Sequence, residues 1–174
     1  MMNFESYIRN VPDFPVKGIQ FKDITTLLKE PEVFANSVDY MYAAFRSHEI
    51  NKIVGIESRG FIFGAAIAYK LNIGFVPVRK PMKLPAETIA EEYQLEYGKD
   101  SLEIHLDGIS RGEKVLMVDD LLATGGTAAA TARLIERVGG KIVGAAFLIE
   151  LAFLNGRDKL QGFPVEALIT YDGE

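Results

Sequence analysis

Two adjacent acids, Asp119 and Asp120, follow the apolar run Val115-Leu-Met-Val and precede a loop of small and hydroxylic residues, Ala123-Thr-Gly-Gly-Thr. Paired carboxylates accept hydrogen bonds from hydroxyls that come in pairs, as in the vicinal diol of a ribose. Neighbouring side chains on a strand point to opposite faces, so both acids are expected where strand gives way to loop. Ala123, Thr124, Gly125, Gly126 and Thr127 then lead into a helix. Their small side chains let backbone N–H groups close on a phosphate, and the helix dipole favours the anion. Thr124 and Thr127 add hydroxyl donors. No lysine follows the glycines, which argues against a nucleoside-triphosphate loop. Each part alone also suits an ordinary strand–turn–helix junction with a threonine cap. The ordered run from Val115 to Thr127 points instead to a sugar-phosphate site.

A second junction carries Glu57-Ser58-Arg59 between the apolar strand Ile53–Ile56 and a helix. Its free N–H groups suit another anion, and Arg59 has the fork geometry for a pyrophosphate. Arg79, Lys80 and Lys83 cluster after the apolar run Ile73–Val78. They read either as a solvated loop or as cations beside the same ligand. The histidines, His48 and His105, are read as structural, and Tyr93 as packing.

These residues need rigid elements to hold them. Periodicity predicts a short helix over Ser6–Arg9, then a loop broken by Pro12, Pro15 and Gly18. A helix over Pro31–Arg46 follows, with Val33, Tyr40, Met41 and Ala44 on one face. Strands are expected at Lys52–Ile56, Ile73–Val78, Val115–Val118, Ile142–Ile149 and Val165–Thr170. Helices are expected at Gly60–Leu71 and Thr127–Val138, the latter ended by Gly139-Gly140, with a short one near Gly156–Leu160. Residues 91–97 and 101–106 alternate around Gly98-Lys99-Asp100, a hairpin with that turn. Pro81–Glu91 is the segment expected to be mobile. Strands alternating with helices, and apolar runs within strands, give an α/β fold with a mostly parallel central sheet and helices on both faces.

The chain of 174 residues is 48% hydrophobic, with a net charge of −5 and no cysteine. One domain is expected over 1–174, with a core too large for a disordered chain. The acidic balance argues against nucleic-acid binding or an anionic membrane surface as a general attraction, and no apolar run is long enough to span a bilayer. Disulfides and thiolate ligands are ruled out, and with no basic, apolar leader at the first residues the expected location is the cytoplasm.

The chain resembles the adenine phosphoribosyltransferases. The likeness rests on Pro12-Asp-Phe-Pro, Gly18-Ile-Gln-Phe-Lys-Asp-Ile, Glu57-Ser-Arg-Gly-Phe, Val78-Arg-Lys-Pro-Met-Lys-Leu-Pro and Tyr93-Gln-Leu-Glu-Tyr-Gly. It continues through the 115–127 run, Ile149-Glu-Leu and Gly156-Arg-Asp-Lys-Leu. The resemblance implies a type I phosphoribosyltransferase-like fold with an N-terminal hood (1–30) and a mobile loop and hairpin (81–106). It implies that adenine and 5-phosphoribosyl 1-pyrophosphate (PRPP) give AMP and pyrophosphate. Phe21 would stack on adenine, with the backbone at Gln20 and Lys22 reading the base edge; relatives often carry Arg in place of Lys22. Asp119, Asp120 and Ala123–Thr127 would bind ribose-5-phosphate, and Glu57, Ser58, Arg59, Arg79, Lys80 and Lys83 the pyrophosphate. Glu96 and Tyr97, on the hairpin, would join Arg59 in catalysis, Glu96 as a candidate proton acceptor. Mg²⁺ would arrive with PRPP rather than on protein side chains, and a homodimer is implied, with a basic residue near Arg79 crossing between subunits. A strained or cis peptide near Glu57–Ser58 occurs in such relatives. The alternatives are transfer to hypoxanthine, guanine or xanthine, or a non-catalytic PRPP-sensing regulator.

Overall fold

The computed structural model describes residues 2–94 and 98–173. A five-stranded parallel sheet forms its centre, built from β3 (Lys52–Ile56), β4 (Gly74–Val78), β7 (Lys114–Leu122), β8 (Lys141–Leu151) and β9 (Val165–Tyr171). Their spatial order is β4-β3-β7-β8-β9. Two antiparallel ribbons flank it: β1 (Arg9–Pro12) with β2 (Gln20–Asp23), and β5 (Thr88–Gln94) with β6 (Lys99–His105). The sheet strands are apolar on both faces because both are covered, as parallel sheets require. One face packs Ile53, Leu116, Val118 and Leu148 against α2 (Pro31–Ala43) and α3 (Gly60–Leu71). The other packs Val54, Met117, Ala145 and Phe147 against α4 (Gly126–Arg137) and the β5–β6 ribbon.

The order of strands decides where a ligand can sit. From β3 the chain crosses through α3 to β4 on one side, while from β7 it crosses through α4 to β8 on the other. The direction of winding therefore reverses between β3 and β7. A crevice opens at such a switch point, outside the carboxyl ends of the strands.

Local sequence accounts for the element ends. Pro31 begins α2, where its missing N–H costs no hydrogen bond. Asn72 stops α3 in a left-handed conformation, with its N–H returned to the carbonyls of Ala68 and Tyr69. The inner face of α2 is Val33, Ser37, Val38 and Met41. Tyr40 is exposed instead, its ring edge-on to Phe4.

Several expectations need correction. Residues 4–7 form a 3-10 turn and Arg9 begins β1, so no helix runs over Ser6–Arg9. Pairing wins there: Arg9 lies opposite Asp23 and donates to its carboxylate. Lys99 and Asp100 belong to β6, opposite Gln94 and Tyr93, and do not form a turn. Leu106 lies beyond that strand and is exposed. β7 runs to Leu122, four residues past the predicted end, because β8 continues beside it through Leu121↔Ile149 and Leu122↔Glu150. Asp119 and Asp120 thus sit inside a strand, at its carboxyl end.

Candidate active site

A cavity of about 370 Å³ occupies the switch point, lined by Glu57–Arg59, Lys80 and the unbroken run Asp119–Ala128. Three adjacent strands supply it. β3 delivers Glu57-Ser58-Arg59, β4 delivers Arg79 and Lys80, and β7 delivers the two aspartates and the small-residue loop. The Glu57–Ser58 peptide is cis.

Both aspartates are buried, with 9% and 5% of their surface exposed. Burial raises the Asp119 carboxyl well above its ordinary range, the neighbouring Asp120 charge adds to that, and the Asp120 N–H opposes it at 2.9 Å. Burial also raises Asp120, against the pull of the Arg59 guanidinium. Arg59 Nε lies 2.9 Å from Asp120 Oδ2, yet that oxygen receives no aligned hydrogen bond among the described residues. The Arg59 charge holds that buried oxygen, while Asp120 as a residue lines the cavity. Gly60, at the start of α3, makes the packing possible. A Cβ there would stand 2.7 Å from Asp119 Oδ1 and 2.9 Å from the Val118 carbonyl oxygen.

The loop after β7 turns through Gly125, whose φ of 76° is left-handed. From it α4 begins at Gly126, aiming the N-terminal N–H groups of a twelve-residue helix at the cavity. Ala123, Thr124, Gly125, Gly126 and Thr127 all line it. Arg59, just before the start of α3, lines the same cavity from the end of β3.

The cations are distributed differently from the expectation. Lys80 lines the cavity, its Nζ 2.6 Å from Tyr93 Oη and paired with Asp100. Burial opposes its charge, but Asp100 and the Tyr93 hydroxyl outweigh that and raise its pKa. Arg79 and Lys83 are absent from the lining. Both donate to Glu57, Arg79 at 3.2 and 3.3 Å and Lys83 at 2.6 Å. Burial pushes the Glu57 carboxyl up; the bonds from Lys83, the Lys80 N–H and Arg79 outweigh it and hold it at about 2. Glu57 therefore organises the cationic loop. Sequence reading placed it with the anion-binding groups and missed this partnership, because Glu57 and Lys83 are 26 residues apart.

The hood meets the site where Phe21 approaches Arg59. The Arg59 guanidinium lies 5.0 Å above the Phe21 ring, which also packs edge-on against Phe14. Gln20 and Lys22 flank Phe21 on β2. The Lys22 side chain turns away: its Nζ donates to Asn10 at 2.8 Å and sits 4.0 Å above the Tyr171 ring. Only the Lys22 backbone remains available to a base near Phe21. Tyr93 is buried in the core, as expected of packing, and its hydroxyl anchors Lys80 as well. His48 packs against Phe45, and His105 accepts a 3.4 Å hydrogen bond from the Ala86 N–H. Glu96 and Tyr97 lie outside the described residues.

A sheet switch point carrying paired acids, a small-residue loop and an arginine defines a class of protein. The family model described as the phosphoribosyl transferase domain matches residues 23–162. Adenine phosphoribosyltransferase of Alkaliphilus metalliredigens is 57% identical over 170 residues, covering 98% of this chain and 100% of that protein. Among solved structures, adenine phosphoribosyltransferase of Thermoanaerobacter pseudethanolicus superimposes with a TM-score of 0.94 at 52% identity, covering 97% of this chain and 98% of that one. The Saccharomyces cerevisiae enzyme, complexed with an imino-altritol bisphosphate and adenine, gives 0.89 at 41% identity, covering 95% and 96%. The chain belongs to the phosphoribosyltransferase family and, within it, to the adenine phosphoribosyltransferases.

Proposed function

We propose that this chain transfers the 5-phosphoribosyl group of PRPP to N9 of adenine, giving AMP and pyrophosphate, a purine salvage step. The observation that carries the reading is the single cavity in which Asp119, Asp120 and the Ala123–Thr127 loop face Arg59, itself in contact with Phe21. A ribose phosphate fits one end, a diphosphate the other, and an aromatic ring marks the place of the base.

The chemistry follows from the placement. The bond from ribose C1 to the pyrophosphate oxygen breaks, a bond from adenine N9 to C1 forms, and the N9 proton leaves. Asp119 and Asp120 accept the ribose hydroxyls, and their nearby charge favours a sugar carbon turning positive. N–H groups of the loop and of the α4 start hold the 5-phosphate. Arg59 and Lys80 stabilise the charge that develops on the departing pyrophosphate. Phe21 stacks on the base, beside the backbone of Gln20 and Lys22. Glu96 takes the N9 proton and Tyr97 lies next to it in the chain. The carbonyl oxygen of Gln94, the last residue of β5, comes so close to Gly126 that a Cβ there would stand 3.3 Å from it.

Mg²⁺ is read as part of the substrate, carried by PRPP oxygens. Among the described residues no group of three or more acids and histidines could hold a metal by itself. The pyrophosphate reading extends to Glu57 and Ser58, which line the cavity, and to Arg79 and Lys83, which donate to Glu57 from outside the lining. Homodimers in the cytoplasm complete the reading, with the Arg79–Lys83 loop, whose Met82 is 94% exposed, directed at a second subunit. No helix among the described residues is long and apolar enough to cross a membrane.

The test is the rate with PRPP, Mg²⁺ and each purine in turn, with products resolved by chromatography. AMP from adenine, and no nucleotide from hypoxanthine, guanine or xanthine, is expected. Turnover of a 6-oxopurine without adenine would replace the substrate assignment. PRPP-dependent nucleic-acid binding with no turnover would replace the enzyme.

A further inference from the structure

The phosphate loop is backed by a second piece of backbone that none of the chemistry above uses. Leu122, the last residue of β7, lies opposite Glu150 on β8. Glu150 is 4% exposed and does not line the cavity. Arg157 reaches it with a two-pronged contact, Nε to Oε1 at 2.6 Å and Nη2 to Oε2 at 2.7 Å, and Arg157 Nη1 also donates to the Val165 carbonyl. This fork ties the turn that follows β8 to the strand it has just left.

The residue before Arg157 touches the loop itself. A Cβ on Gly156 would stand 2.2 Å from the Ala123 carbonyl oxygen and 3.1 Å from the Gly125 nitrogen. Conversely, a Cβ on Gly125 would stand 2.3 Å from the Gly156 carbonyl oxygen. The two backbones therefore meet without side chains between them, and neither position admits one. Asn155, with φ of 51°, brings Gly156 into the approach. An ion pair with one buried partner is a weak source of stability, because desolvation cancels much of the attraction. A bidentate fork does fix direction. Here the direction it fixes is that of Gly156 against the phosphate loop.

We infer that Glu150 and Arg157 are positioning residues for PRPP, holding Gly156 as a rigid wall behind Ala123–Gly125 so that the loop N–H groups converge on the 5-phosphate. The inference rests on the reading of that loop as the 5-phosphate site. It predicts a selective defect. With the fork broken, the loop relaxes away from the phosphate and loses a charge-assisted hydrogen bond, which is worth about tenfold or more in affinity. The adenine side, at Phe21 beyond Arg59, keeps its geometry.

The experiment uses full-length Glu150→Gln, Arg157→Lys and Gly156→Ala. Each is assayed for PRPP KM, adenine KM and kcat, with ribose-5-phosphate binding measured directly by calorimetry. Glu150→Gln and Arg157→Lys are expected to raise the PRPP KM and weaken ribose-5-phosphate about tenfold, with adenine KM and kcat within about twofold of wild type. Gly156→Ala, which keeps the fork but forces the backbones apart, is expected to do the same. Arg157→Lys, whose side chain is partly exposed, carries the test if Glu150→Gln fails to fold. Equal changes in both KM values, or an unchanged PRPP KM in Arg157→Lys, would overturn the inference while leaving the enzyme reading intact. Failure of wild type to bind ribose-5-phosphate would overturn both.

Discussion

Replacing Asp119 by Asn should make the protein more stable and a poorer enzyme at once. The carboxylate is buried beside a second one, and its folded pKa stands above the ordinary 3.8. For an acid with a raised folded pKa, the ionised form is the one that costs stability. The cost is absent below about the unfolded value and complete once the pH exceeds the folded value. Above that value the amide removes it, and the Tm should rise. The gain should shrink as the pH is lowered toward 4. The amide oxygen can still accept from the Asp120 N–H, so packing is retained. A ribose hydroxyl instead loses a charged acceptor, worth about 2 kcal/mol, or roughly thirtyfold in the PRPP KM. Thermal melts at pH 4 and pH 7, with PRPP saturation curves, measure both halves. An unchanged PRPP KM and kcat in Asp119→Asn, and in the double variant with Asp120→Asn, would refute the ribose assignment.

Other perturbations separate the remaining parts of the site. Phe21→Ala should raise the adenine KM by about tenfold or more, since aromatic stacking on a base is worth about 1–3 kcal/mol, with the PRPP KM little changed in the same assays. Gly60→Ala would drive a methyl into Asp119 Oδ1 and the Val118 carbonyl; a loss of about 1–3 kcal/mol in urea unfolding and a higher PRPP KM are expected together. Glu57 is held at about 2, below the ordinary 4.5, so its contribution is present above pH 4.5 and lost as the pH falls toward 2. Glu57→Gln should therefore cost about 1 kcal/mol at pH 7, allowing for solvent screening of the exposed Lys83 and Arg79, and nothing measurable near pH 2 in the same unfolding assay. Glu96→Gln should lower kcat with both KM values held; an unaltered kcat removes Glu96 as the proton acceptor.

Much of this was legible in the chain itself, for local reasons. α3 spans Gly60–Leu71 and β3 spans Lys52–Ile56, both as read, because each is a continuous apolar segment between polar residues, and Asn72 turns the chain out of α3. The loop Ala123–Thr127 was readable as a place where small residues let backbone N–H groups approach an anion, and in the fold it lines the cavity. The order β4-β3-β7-β8-β9, and with it the switch point that gathers Arg59, Lys80 and Asp119 into one cavity, is a property of pairings between distant strands. Those pairings also carried β7 on to Leu122 and drew Arg9 into a ribbon instead of a helix. Charged partners were the least readable feature. Lys83 and Arg79 on Glu57, Lys80 on Asp100, and Arg157 on Glu150 each join residues separated in the chain. A long cationic side chain reaches any acid within several ångströms, so sequence spacing leaves its partner open and the packed fold selects it.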